Sequence, residues 1–198
     1  MSTETFKLMQ NIEKNAVETQ LALQCAPVLS GIKISNLLNI SDHQVDAVCQ
    51  LLKDTPIEIY ILYRSRQKTT LLLFRRAALE AYLNQEQPQK ILAAAGYKDI
   101  QLHSAIREFA GRYADYRNQG GEFPHEIGLF LGYNAEDVIG FIENKGQNYL
   151  YSGYWKIYSN LKEAIQLFES MDKVMETALK MLSRGENILA LIPSASAL

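Results

Sequence analysis

The amino-acid sequence predicts an α+β fold, and three patterns in its 198 residues support this prediction. Two β-branched and aromatic segments, 57–63 and 69–74, flank a polar loop, which is typical of a β-hairpin. Longer segments repeat apolar residues every three or four positions, which is typical of helices that pack on a core. Apolar residues make up 47% of the chain and charged residues 21%, so the composition excludes disordered, collagen-like and disulfide-rich miniprotein classes.

The chain length fits one domain, because domains commonly contain about 100–200 residues. We expect a single α+β domain over residues 1–185 and a flexible tail over residues 186–198. The first predicted element is a helix at 3–24 that packs on this domain. Residues 25–33, which include a proline and a glycine, are then expected to form an irregular or extended connector.

The predicted sheet is small and antiparallel, and its main unit is the hairpin at 57–75. We expect a five-residue hairpin loop at 64–68, with strands so apolar that helices cover mainly one face. The segment 153–158 alternates like a strand and is the candidate third member of this sheet. Before the hairpin, Ser41 is the expected N-cap of a helix that ends near residue 53.

Six further helices are predicted after the hairpin. Gly96 and the pair Gly120-Gly121 are expected to end two of them, Pro124 opens another, and Asn134 caps the next. The predicted ranges are 76–83, 88–95, 99–117, 124–131, 134–145 and 161–184.

Charge and targeting patterns restrict the function classes and the compartment. The formal net charge of −2 argues against a strongly basic nucleic-acid-binding protein. No apolar run approaches the roughly 18 residues of a membrane span, and the N-terminus lacks the apolar segment of a signal peptide, so we expect a cytoplasmic protein without a membrane partner. We expect Cys25 and Cys49 to be reduced thiols, and the sequence offers no zinc-ligand spacing, so we predict no metal site.

Several motifs resemble a known bacterial family, the one catalogued as domain of unknown function 3793. They are CAPVLSGIK at 25–33, FRRAAL at 74–79, EFPHEIGLFLGY at 122–133, NAEDVIGFIENKG at 134–146 and GYWKIY at 153–158. The resemblance covers roughly residues 25–181. It departs at Asn134, where a proline is expected, at Ser152, where a cysteine is common, and at Ser159-Asn160, which replace Gly-Asp. The resemblance implies kinship but no activity, and Ser152 weakens any thiol or metal role at its position.

His125 and Glu126 are the candidate catalytic residues. A histidine beside a carboxylate is a typical general acid-base pair. However, neighbouring helical residues point about 100° apart, and Leu129 breaks the zinc-protease pattern. In the alternative interpretation, Glu126 interacts with a helix dipole and His125 bonds a backbone carbonyl.

The helices predicted over 124–144 also resemble a helix-turn-helix unit. Gly128 lets the two helices approach each other, and Gly132 supplies the turn. Residues 122–146 contain five acidic residues and one lysine, which repel phosphates. We therefore favour a structural helix pair and regard nucleic acid as a disfavoured partner.

Three further groups are candidate ligand-binding residues. Polar groups at a helix end are suited to hold a carboxylate or phosphate, and an aromatic strand can form the wall of a cavity for a planar ligand. Arg75 is an anion anchor if it points inward. In each case the alternative is structural: a helix C-cap, a core strand and a strand-end arginine. The first two groups are Glu143, Asn144 and Lys145, and Tyr154, Trp155 and Tyr158.

The function that these residues favour is non-catalytic binding of a small ligand, or regulation, at a site near His125, Asn144-Lys145 and 154–158. One alternative is an enzyme that acts on a small anionic substrate, with His125 and Glu126 as acid and base and Arg75 or Lys145 as anion clamp. The other is a protein or nucleic-acid interaction module that uses the helix pair or the basic hairpin at 64–76. The lack of a recognisable nucleophile–base set favours the first. The sequence indicates no cofactor or oligomeric state.

Overall fold

A computed structural model describes residue 13 and residues 16–193 of the protein. Within this range the fold is α+β, as predicted, with a three-stranded antiparallel sheet, a separate two-stranded sheet and helices around them. The helices are α1 Val17–Leu29, α2 Val45–Leu52, α3 Arg76–Leu83, α4 Glu86–Ala94, α5 Leu102–Gln119, α6 Ile127–Phe130, α7 Ala135–Glu143 and α8 Leu161–Ser183. The strands are β1 Ser35–Ser41, β2 Glu58–Arg64, β3 Lys68–Phe74, β4 Tyr151–Ser152 and β5 Lys156–Ile157, and 3-10 turns span Asp42–Gln44 and Ile188–Leu191.

The predicted hairpin exists, but its loop is shorter than expected. In the register of the sheet, Arg64 lies opposite Thr69 and Lys68 lies opposite Ser41. Because Arg64 and Lys68 belong to the strands, the loop contains three residues, 65–67, and not five. Strand β3 is the middle strand, paired with β1 on one side and β2 on the other.

The third strand of the main sheet is β1, and the prediction that 153–158 joins this sheet is wrong. Residues 151–157 instead form the small sheet of β4 and β5. The backbone N–H of Tyr158 donates to the Asp137 carboxylate over 2.8 Å, so it takes no part in a strand ladder. The sequence pattern did not predict β1, because Asn36 and Asn39 interrupt its apolar residues. The side chain of Asn36 donates to the Gln24 carbonyl, and that of Asn39 accepts from the Thr70 hydroxyl.

Helices cover both faces of the main sheet, which corrects the expectation of mainly one covered face. Side chains of a strand alternate between faces, and those of β3 are apolar in both directions. Leu72 and Phe74 enter a core with helices α3 to α7. Leu71 and Leu73 enter a second core with α1, α2 and α8. A central strand that is apolar on both faces therefore requires helices on both sides.

Helix α1 extends through much of the predicted connector. Pro27 lies inside its last turns, and the buried Cys25 and Leu29 belong to the same helix. The packing of these apolar side chains outweighs the cost of a proline near the helix end. Residues 17–24 are helical as predicted, whereas the rest of the predicted helix at 3–24 lies outside the described residues, apart from residues 13 and 16.

The other predicted helices occur close to their expected positions. Asn134 caps α7, because its side chain accepts from the N–H of Glu136 over 3.0 Å. Gly96 and Gly120 follow α4 and α5 with positive φ angles of 92° and 67°. Ser41 ends β1 and stands at the N-cap position of the 3-10 turn Asp42–Gln44, but its side chain makes no capping hydrogen bond.

The end of the described chain packs on the second core. Residues 186–193, which we expected to belong to a flexible tail, include the turn Ile188–Leu191, and Ile188 is only 1% exposed. Residues 194–198 lie outside the described residues. No helix in the described part of the chain has both the length and the apolar character required to cross a bilayer.

Candidate functional site

Two cavities lie on either side of His125. The larger cavity has a volume of about 690 Å³ and the smaller one about 290 Å³. Phe123 and His125 line both cavities, so these two residues form the wall where the cavities meet. Volumes of this order accommodate small organic ligands.

The chain places His125 by means of the helix pair that the sequence predicted. Pro124 begins a turn in which the N–H of Ile127 donates to the Pro124 carbonyl over 3.0 Å. Helix α7 then packs closely on α6, because Gly128 has no side chain: a Cβ atom there would lie 2.7 Å from Val138 Cγ2. Gly132, with a φ of +67°, makes the turn between the two helices. The predicted roles of both glycines are confirmed.

The imidazole of His125 is held by rings but has an unpartnered nitrogen. Its centroid lies 5.5 Å from that of Phe123 and 5.3 Å from that of Phe141. Its Nδ1 atom is buried and makes no hydrogen bond. Buried polar atoms in folded proteins nearly always have a partner, so this nitrogen is a candidate contact for a bound molecule.

Glu126 occupies a different environment, although it also borders the larger cavity. Its side chain is only 7% exposed, and it accepts from the hydroxyl of Tyr97 over 3.1 Å. It also lies 3.7 Å from the guanidinium of Arg112, which donates to the Ala95 carbonyl over 2.5 Å. Burial, reinforced by Glu126, raises the pKa of Tyr97 far above its usual value. Glu126 is thus fixed in a structural network and is not paired with His125.

The larger cavity has a mixed lining in which the basic groups already have partners. Lys90 pairs with Glu86 over 2.6 Å, and Arg112 is bonded as described above. Apolar side chains form much of the remaining wall. The acidic residues that also line this cavity are Asp115, Glu122, Glu126 and Glu143.

The smaller cavity is mainly apolar, and a carboxylate that bonds several donors lies at its edge. Asp137 is only 4% exposed and accepts from Trp155 Nε1 over 3.0 Å and from the N–H of Ser159 over 3.1 Å, in addition to its bond from Tyr158. These bonds tie α7 to the residues on both sides of β5. The lining residues are Phe123, His125, Ile127, Gly128, Leu131, Tyr133, Asp137, Val138, Phe141, Trp155 and Lys156.

Trp155 is the one predicted aromatic residue that lines a cavity. It stacks on Tyr133 with a centroid distance of 4.3 Å and an interplanar angle of 15°. Tyr154 is instead 44% exposed and donates to Asp172 over 2.7 Å. Tyr158 packs against Gly140, with a buried hydroxyl that has no partner, and lines neither cavity.

Lys156 belongs to the smaller cavity and was missed by the sequence analysis. Its ammonium donates to the Gly146 carbonyl over 2.5 Å, 4.8 Å from the ring centroid of Tyr149 and 5.8 Å from that of Phe141. The available signal was a lone lysine within an aromatic segment. The strand pattern expected for this segment favoured its aromatic residues as the site, with no role for the lysine.

The three polar residues at the end of α7 lie in different environments in the structure. Glu143 lines the larger cavity. Asn144 donates to the Gly140 carbonyl over 2.8 Å and caps the helix. Lys145, with a φ of +50°, is exposed and lines neither cavity. The structure therefore does not bring Asn144 and Lys145 to the site near His125.

Arg75 also lines neither cavity. It donates to the carbonyls of Val28 and Leu29 over 3.0 and 2.8 Å, where helix α1 ends. Two other bases of the segment 64–76 have acidic partners, because Arg64 pairs with Asp42 and Arg76 pairs with Glu58. Arg66 and Lys68 are exposed at the hairpin. Arg75 therefore satisfies helix-end carbonyls.

No group of three or more His, Cys, Asp or Glu side chains within the described ranges is arranged to hold a metal ion. A search of curated proteins and a search of solved structures each found no match to the chain. The family described as "Protein of unknown function (DUF3793)" matches residues 21–192. Because this match covers far more than half of the sequence and confirms the resemblance of its motifs, the chain belongs to the DUF3793 family.

Proposed function

We propose that this protein binds a small molecule at the two cavities that meet at His125 and does not transform it. One observation carries the proposal: His125 lines both cavities, and the Nδ1 atom of its imidazole is buried without a hydrogen-bond partner. An unsatisfied buried polar atom carries a free-energy cost. A ligand that supplies the missing hydrogen bond recovers this cost on binding.

The surroundings of His125 support binding more than catalysis. Glu126, the expected partner in acid-base chemistry, is already bonded by Tyr97 and lies beside Arg112. Asp137 is occupied by donors from Trp155, Tyr158 and Ser159. None of the residues that line the two cavities is a serine, threonine or cysteine, so the described site offers none of these nucleophiles.

The interaction-module alternative has weaker support. The second helix of the pair, α7, carries exposed Glu136 and Glu143, which repel a nucleic-acid backbone. Three of the five basic residues in the segment 64–76 are engaged by an ion pair with Asp42, an ion pair with Glu58 and the end of α1, so two exposed bases remain at the hairpin. We therefore do not extend the proposal to nucleic acid.

A ligand screen with two independent readouts tests the proposal. Trp155 is the single tryptophan of the chain and lines the smaller cavity, so its fluorescence reports directly on this site. Compounds that raise the thermal midpoint are expected to change this fluorescence and to form one-to-one complexes in native mass spectrometry.

Two histidine variants identify the site of binding. We expect His125→Phe, which retains a ring between Phe123 and Phe141, to weaken binding about tenfold through loss of a hydrogen bond. The control His43→Ala alters an exposed histidine and leaves the affinity unchanged. The proposal is wrong if no anionic, neutral or cationic compound binds, or if every compound that binds does so equally well to His125→Phe.

A further inference from the structure

We propose that the ligand is a small weak acid: a carboxylate on an apolar or aromatic body, bound in the smaller cavity with the carboxylate against Lys156 and His125. This inference rests on the proposed function and names the ligand class for the same site. It follows from the residues of the cavity wall that would contact the apolar body and those that would contact the carboxylate.

The wall of the smaller cavity fits an apolar body. Trp155 and Tyr133 provide a stacked pair of rings, and Phe123 and Phe141 flank His125. Branched aliphatic side chains of α6 and α7 form most of the remaining lining. Burial of apolar surface against such a wall is the main source of affinity for small ligands.

The one carboxylate that lines this cavity is not available to a ligand. Trp155 donates to Oδ2 of Asp137, and the backbone N–H groups of Tyr158 and Ser159 donate to Oδ1. The Ser159 hydroxyl also donates to Oδ1 over 3.3 Å. A carboxylate offers about four acceptor positions, so these four bonds leave little capacity for a further strong bond to an amine. The cavity therefore does not favour a cationic ligand.

Lys156 supplies the free positive charge of the site. Within the described part of the chain, no carboxylate lies within ion-pair distance of its ammonium, whose one hydrogen bond goes to the Gly146 carbonyl. An ammonium group has three N–H donors, so two remain for a ligand. The rings of Tyr149 and Phe141 flank this charge, and these cation–π contacts help to hold the ammonium in place.

His125 provides the second polar contact in the same cavity. Its Nδ1 atom lacks a partner and serves as a hydrogen-bond donor in the tautomer or charge state that carries a proton there. A carboxylate is a pure acceptor with two oxygens. It is therefore matched to a site whose two available polar groups are an ammonium and an imidazole.

Three compounds with one skeleton and different charges test the ligand class. They are 3-phenylpropionate, 3-phenylpropionamide and 3-phenylpropylamine, titrated into the full-length protein while the fluorescence of Trp155 is recorded. We expect the acid to bind about tenfold more tightly than the amide, because a charged hydrogen bond is stronger than a neutral one. The amine is expected to bind most weakly.

Lysine variants test the contact itself. Lys156→Met is expected to weaken binding of the acid about tenfold and to leave the affinity for the amide within about twofold. Lys156→Arg keeps the charge and restores much of the affinity for the acid. The matched control is Lys145→Met, which removes an exposed lysine outside the cavity. Equal thermal midpoints of the variants show that each one is folded.

Several results would overturn the assignment of ligand class. They are tighter binding of the amide or the amine, no binding of the acid, or an affinity for the acid that Lys156→Met does not change. Any of these results leaves the proposed function intact if another compound of the screen binds in a manner that depends on His125. If no compound does so, both proposals fail.

Discussion

At the scale of single residues, Lys33 is a buried lysine without a carboxylate partner among its described contacts. It is only 6% exposed, and its ammonium donates to the side chain of Asn36 over 2.7 Å. The same group lies 5.2 Å from the ring centroid of Tyr133 and 5.8 Å from that of Trp155. Burial lowers the pKa of Lys33 from 10.5 to about 8, and the neighbouring Cys25 raises it slightly. The folded protein thus carries this charge at a cost.

This cost predicts a pH-dependent stability. Between pH 8 and 10.5 the unfolded chain holds a proton on Lys33 that the folded protein has lost, so stability rises with pH in this window. We expect the stabilisation of the wild type relative to Lys33→Met to increase by about 1 kcal/mol from pH 7.5 to 9. Urea denaturation at a series of pH values measures this difference.

Cys25 limits the pH range over which the effect of Lys33 on stability can be measured by itself. Its thiol is fully buried, and burial raises its pKa from 9.0 to about 12. Above pH 9 the unfolded chain loses this proton while the folded protein keeps it, so stability falls and opposes the effect of Lys33. Parallel stability curves for the wild type and Lys33→Met between pH 7.5 and 9 would contradict the prediction. Lys145→Met serves as the control for loss of an exposed lysine.

At the scale of elements, the close contact between α6 and α7 forms part of the candidate site. Gly128 allows this contact, since a Cβ atom there would lie 2.7 Å from Val138 Cγ2. The sequence revealed this feature because glycines at 128 and 132 stand among buried apolar residues at the spacing of a helix pair. Local patterns of this kind predicted most helices and the hairpin.

Two glycine-to-alanine substitutions test the role of this contact. We expect Gly128→Ala to destabilise the protein by about 1–3 kcal/mol, because it overpacks a close helix contact. Gly111→Ala is the matched control: Gly111 lies within α5, and an added Cβ meets nothing within 4 Å. That variant is expected to be more stable by up to about 1 kcal/mol, since alanine favours a helix.

The measurement is chemical denaturation of both variants beside the wild type. Equal effects of the two substitutions would contradict the account of the helix pair. The double variant Gly128→Ala and Val138→Ala is expected to lose less stability than the sum of the two single losses, because it removes the side chain that the new methyl group meets.

Some elements and contacts were not predictable from local patterns. In strand β1 the alternation of apolar and polar residues is weak, because two asparagines interrupt it and form hydrogen bonds with other elements. Lys156 and Asp137 lie 19 positions apart, and they line one cavity only because the segment after β5 folds back onto α7. The residue type of Arg75 suits an anion, but the end of α1 lies beside it and accepts its hydrogen bonds. In each case a distant part of the chain decides the role of the residue.

At the scale of the whole molecule, β3 joins two apolar cores. Leu72 faces the core that supports the candidate site, and Leu73 faces the core formed with α1 and α8. Both side chains are fully buried. If the sheet couples the two cores into one cooperative unit, damage to either core lowers the stability of the whole molecule.

Leu72→Ala and Leu73→Ala test this coupling. Each is expected to cost about 2–5 kcal/mol, as for other buried leucines. Denaturation is followed by circular dichroism, which reports on all helices, and by the fluorescence of Trp155, which reports on the candidate site. We expect the two probes to give coincident transitions in each variant. A transition of Trp155 that Leu73→Ala leaves in place while circular dichroism shifts would show two independent units.

The central claim is that a small molecule contacts the imidazole of His125. Nitrogen NMR spectroscopy tests it most directly, because the chain has only three histidines, His43, His103 and His125. Spectra are recorded without and with a saturating amount of the tightest-binding compound of the screen. The Nδ1 resonance of His125 is predicted to move, while those of His43 and His103 stay in place. An unchanged Nδ1 resonance of His125 in the saturated complex would contradict the claim.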